Sequence, residues 1–232
     1  VILRWALSAG DAGAVAGIFA ALGTHWSMRG THSEILAVAQ DVFDVLDGVA
    51  LPSDPLARDT LFTALVAAAS WSAFGSQRLA ARFRRTLRLL TEQGWPEDAL
   101  IHAQTRLLLA LPRMDVATGL LLGMREDKDP RVATLALSFS MPMLENEGEI
   151  DAALQLGERI NEIVAEYGPL WPAGLAAGLT TQLYGQNGRP EDALVAAKKA
   201  RSTLEIFGAE DDLHELGWTV GLASASVGRI EE

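Results

Sequence analysis

The sequence predicts an all-α fold, a right-handed superhelix of antiparallel helix pairs. Three observations carry that expectation. Sustained alternation of apolar and polar residues is absent, and Ala and Leu dominate where strands would favour Val and Ile. Apolar residues recur instead at three- and four-residue intervals, the pattern of a helix with one buried face. A glycine, a few polar residues and an apolar helix recur as GTHSEILAVAQ from Gly30, GSQRLAARFRR from Gly75, GEIDAALQLGE from Gly148, GRPEDALVAAK from Gly188 and GRIEE from Gly228, the last three 40 residues apart. A fixed period of that length marks stacked helix pairs, each unable to bury its apolar face alone.

Each element follows from this register. A leading helical fragment occupies 1–9. The first pair spans 11–47: Val15, Ile18, Phe19, Leu22 and Trp26 form one stripe, Gly30 ends it, and Ile35, Val38, Ala39, Val42 and Leu46 form the next. The longest connector, 47–55, is the hinge candidate, and the second pair follows over 54–93. The third spans 96–126, with proline replacing the turn glycine in LPRMD at 111–115. The fourth and fifth span 130–167 and 170–207, and a partial unit fills 210–232. The whole reads as one helical-repeat domain, 1–232, and as a fragment of a longer chain because both ends fall mid-repeat.

Composition excludes several classes of function. With 49% apolar and 21% charged residues the chain is ordinary globular material, so disorder is not expected. No cysteine is present, which removes disulfides, thiolate metal sites and thiol nucleophiles and fits a reducing cytoplasm. The start VILRWALSAGD has no basic leader or cleavage pattern, and the longest apolar runs fall short of the roughly 20 residues of a membrane span. A net charge of -11 repels a phosphate backbone. The expectation is a cytoplasmic protein with no membrane and no direct nucleic-acid contact.

Catalytic patterns are missing as well. GDAGAVAG lacks the spacing and the lysine of a phosphate loop, DLHELGW lacks the second histidine of a zinc helix, and no GxSxG elbow occurs. His214 beside Glu210 and Asp211 reads as a solvated acidic helix start rather than a metal grip. The carboxylate pairs Glu145 with Glu149 and Asp41 with Asp44 read as solvated surface. No catalytic residue, cofactor or metal site is expected, and the chain is not expected to be an enzyme.

Two sets of residues are candidates for binding. In RLAARFRRTLR, Arg78, Arg82 and Arg85 share one helix face with Arg84 and Arg88 beside them, opposite the apolar Leu79, Phe83, Leu87 and Leu90. This stripe is either a docking site for an acidic partner surface or phosphate group, or a solvated face paired to nearby carboxylates. Trp26, Trp71, Trp171 and Trp218 each fall in the first helix of a pair, where the inner wall of a superhelix could anchor a peptide or enclose a ligand; packing between layers is the alternative. Arg29, Gln182 and Asn187 are polar candidates near that wall.

The unit at 177–205 resembles the tetratricopeptide repeat: Tyr184, Gly188, Ala193 and Ala200 stand at its Tyr, Gly and Ala positions. Its length departs from the roughly 34 residues of that repeat, and Thr181 replaces a usual glycine. In the preceding copy Gly148 and Ala153 fit, while Leu144 and Ile160 replace Tyr and Ala. The stretch LRWALSAGDAGAVAGIFAALGTHWSMRGTHSEI, residues 3–35, resembles the first repeat after the ATPase module of large bacterial transcriptional regulators, especially actinobacterial SARP-type and LuxR-type proteins with a STAND module. That resemblance implies a non-catalytic interaction or sensor module that regulates such a protein through a protein partner or the parent's own ATPase and DNA-binding modules. A small-molecule effector domain with an aromatic-lined concave pocket and an assembly scaffold of an unrelated signalling protein are the alternatives.

Overall fold

The computed structural model describes residues 1–229 and is all-α: twelve helices and no strand occur among the described residues. The end of the partial repeat, Ile230 to Glu232, lies outside them. Contacts divide the chain into two compact units, Val1–Ser27 with Thr31–Ala117, and Met28–Gly30 with the residues from Thr118 onward. Charge divides unequally between them. The first holds 9 basic and 11 acidic side chains, net -2; the second holds 10 and 19, net -9.

The first unit contains α1 (Ile2–Ala9), α2 (Ala12–Arg29, up to Ser27), α3 (His32–Leu46), α4 (Pro55–Gly75), α5 (Gln77–Thr91), α6 (Ala99–Ala110) and the start of α7 (Met114–Met124). Asp54 opens α4 by accepting from the amide of Ala57, with Pro55 at the first helical position. Central α4 packs on α3, α5 and α6, and its buried Ala64, Ala68 and Ala69 let those neighbours come close. Phe19, Ile35, Phe62, Leu65, Phe83 and Leu87 are fully buried in the common core, where Phe43 meets Phe83 edge-on at 5.1 Å.

The connectors of this unit are tied down. Asp59 on α4 accepts from the amides of Glu97 and Asp98 at 2.7 and 3.1 Å, and Asp98 then caps α6 through the amides of Leu100 and Ile101. In the connector read as a hinge, Asp47 accepts from Thr86 Oγ1 at 2.9 Å and Arg58 donates to the Pro52 carbonyl at 3.4 Å. These bonds connect the segment to α4 and α5.

The second unit contains the rest of α7, α8 (Pro130–Glu147), α9 (Ile150–Tyr167), α10 (Trp171–Gln186), α11 (Pro190–Phe207) and α12 (Glu210–Ser226). From α8 to α12 successive helices pack together, and α10 also touches α8 and α12, two elements before and after it. Gly148, Gly168, Gly188, Gly208 and Gly228 all have positive φ and follow one another every 20 residues. At Gly148, Gly188, Gly208 and Gly228 the helix closes in one way. The glycine amide bonds the carbonyl three residues back, and the next amide reaches five back, from Glu149 to Leu144, Arg189 to Tyr184, Ala209 to Leu204 and Arg229 to Ser224. This closure needs a left-handed residue, which glycine adopts without a Cβ penalty.

Candidate interaction surfaces

The arginine stripe is the exposed side of α5. Its other side, Leu79, Phe83, Leu87 and Leu90, is buried in the core of the first unit, so the fold fixes which way the cations point. Arg82 is engaged: its guanidinium lies 4.0 Å over the Phe43 ring, donates to Gln40 Oε1 at 3.4 Å and pairs with Asp44 at 3.8 Å. Arg78, Arg85 and Arg88 are exposed and Arg84 is half-exposed; none of the four forms an ion pair with a described residue. One arginine of five follows the solvated-and-paired reading. The remaining four form a concentrated positive ridge.

The tryptophans do not share one environment. Trp26 is half-buried and meets Phe19 edge-on at 6.4 Å. Trp71 stacks on the ring of His32 at 3.4 Å and donates its Nε1–H to Ser27 Oγ at 2.6 Å. Trp171 is half-buried, its Nε1 enclosed without a hydrogen-bond partner, and Trp218 is 70% exposed on α12. Trp26 and Trp71 pack against the first unit's core, while Trp171 and Trp218 belong to the second unit.

The three polar candidates occupy helix bodies and ends. Arg29 is half-exposed in the last turn of α2. Gln182 donates to Glu145 Oε1 at 3.3 Å, linking α10 to α8. Asn187 donates through Nδ2 to the Leu183 carbonyl at 2.7 Å, a bond that finishes α10. His214 is exposed, and no group of three metal-binding side chains forms among the described residues.

A cavity of about 210 Å3 opens within the second unit, between Gly174, Gly178 and Gln182 of α10 and Asp212, Glu215 and Thr219 of α12. No aromatic ring lines it. Asp212 is the residue that sequence reasoning passed over. Its Oδ2 is enclosed with no hydrogen-bond partner, and burial, followed by the charges of Glu215 and Asp211, pushes its carboxyl up to about 6. In the sequence it is one of three acids at a helix start, and only packing of α12 on α10 separates it from Glu210 and Asp211.

No protein family, curated protein or solved structure matches the chain. No helix among the described residues is long and apolar enough to cross a membrane.

Proposed function

We propose that the chain is a non-catalytic protein-interaction module, a right-handed superhelix of tetratricopeptide-like helix pairs, that regulates a multidomain bacterial transcriptional regulator. The observation that carries this reading is the succession of positive-φ glycines every 20 residues from Gly148 to Gly228, with α10 packed on both α8 and α12. Repeats that contact their neighbours in this way build extended surfaces whose use is recognition rather than chemistry. In the parent, the array holds neighbouring ATPase and DNA-binding modules in an inactive arrangement until a cytoplasmic partner binds. A partner shifts such a balance only if it binds the two states unequally.

The test is made on the parent chain. Its flanking sequence should encode a phosphate-loop ATPase and a DNA-binding domain, and deletion of residues 1–232 should change operator binding by the remainder. A parent with neither module, or operator binding indifferent to the deletion, removes the reading. The cavity at Asp212 favours a second one, a small-molecule effector domain. That reading requires thermal stability to rise with the logarithm of ligand concentration and to lose this response in Asp212→Ala.

A further inference from the structure

We infer that Arg78, Arg84, Arg85 and Arg88 of α5 form a docking ridge for an acidic helix of a protein partner. The inference rests on the reading of the chain as an interaction module and names the chemistry of what one of its faces receives.

The apolar half of α5 already joins it to the core, and among the described residues no carboxylate forms an ion pair with the four arginines; Asp44 pairs with Arg82 beside them. Apart from Arg88, which the dipole favours in the last turn of α5, the ridge's arrangement opposes helix stability. Arg84 and Arg88 stand at i, i+4 and Arg85 and Arg88 at i, i+3, spacings at which like charges repel. Arg78 lies in the first turn, where the helix dipole disfavours a cation. Solubility does not call for such a concentration of one sign on a single face.

From Arg78 to Arg88 the ridge runs about 15 Å along the helix axis. A helix that repeats Glu or Asp every three or four residues presents carboxylates at the same intervals, and each planar guanidinium can hold one through two parallel hydrogen bonds. Leu89, 45% exposed and one turn beyond Arg85, supplies an apolar contact that such a helix can cover with a leucine or alanine. A nucleic acid fits less well. Its phosphates draw on long-range attraction, and this chain carries -11 overall and -2 in the unit bearing the ridge.

The test uses fluorescence anisotropy of a labelled helical peptide of Glu-Glu-Leu-Ala repeats titrated with the 232-residue protein. The expected result is saturable binding that weakens with salt and falls at least about tenfold in the triple variant Arg78→Glu, Arg85→Glu, Arg88→Glu. The matching triple lysine variant, which keeps the charge and loses the planar fork, should bind between the two. The altered side chains are exposed, so circular dichroism melting of both variants should fall no lower than that of the parent chain and separates lost docking from lost folding. Equal peptide binding by the reversed variant, or no binding by the parent chain, overturns the proposal. So does duplex DNA that binds more tightly than the peptide through the same arginines, or self-association abolished by the reversal. Each of these leaves the interaction-module reading standing, because that reading is decided by the parent's flanking sequence and operator binding.

Discussion

Ser27 and Trp71 complete each other's hydrogen bonding across the first unit. The indole Nε1–H donates to Ser27 Oγ at 2.6 Å, and the same hydroxyl donates to the Gly23 carbonyl at 2.7 Å. Neither helix contains this bond by itself. Ser27→Ala should orphan the half-buried indole donor and lower stability by about 1 kcal/mol in urea denaturation. Adding Trp71→Phe should cost less in that background than in the parent chain, because the donor is already without its acceptor.

Asp212 should give stability an unusual pH dependence. Its folded value of about 6 lies above the value near 3.9 of an unfolded chain, so the native state holds the proton more tightly. The stabilisation from the protonated form is complete below about pH 4, fades between about pH 4 and 6, and is absent above. Asp212→Asn should raise the melting temperature at pH 7, by the equivalent of about 1 kcal/mol once solvent screening of this partly exposed carboxyl is allowed for. It should also flatten the profile between pH 4 and 6; an unchanged profile would place the titration elsewhere.

Gly157 and Gly217 should respond oppositely to alanine. A Cβ on Gly157 would sit 2.7 Å from Thr180 Oγ1, a hydroxyl held by its own bond to the Ala176 carbonyl. Gly217 is exposed with nothing within 4 Å of that position. Gly157→Ala should destabilise by about 1 kcal/mol or more as α9 is pushed from α10, despite alanine's helix preference. Gly217→Ala should stabilise by up to about 1 kcal/mol. Thermal unfolding of the two variants gives the comparison.

Asp98 should behave as a structural cap. Its Oδ1 accepts from the amides of Leu100 and Ile101 at 2.9 and 3.0 Å. Asp98→Ala should cost about 1 kcal/mol, and Asp98→Asn, which keeps an acceptor, should cost less. Hydrogen exchange at the first amides of α6 is the local readout.

Helix content and helix ends were legible because each is a local property. Gly30, Gly148, Gly188 and Gly228 mark real left-handed turns, and a glycine that must take positive φ announces itself one residue at a time. Gly75 shows the limit of the cue: it is the last residue of α4, and Ser76, accepting from the Leu79 amide, opens α5 in its place. The arginine stripe was legible as a face, since period 3.6 fixes which residues share a side. Which of its arginines meets a carboxylate was not, because Asp44 of α3 reaches Arg82 of α5 only through the packing of helices that lie about 40 residues apart in sequence.

The sequence by itself determined that this chain is helical, several of its helix ends and the apolar faces of helices such as α2, α3 and α5, because those follow from spacing within a few residues. Only the tertiary structure decided that contacts group into two units, that Trp71 finds Ser27 and His32 while Trp218 stands in solvent, and that one carboxyl of an acidic triplet is half-buried. These depend on residues distant in the chain meeting in space. Desolvation, ion pairing and exposure are set by such neighbours, and a helical period says nothing about which neighbour arrives.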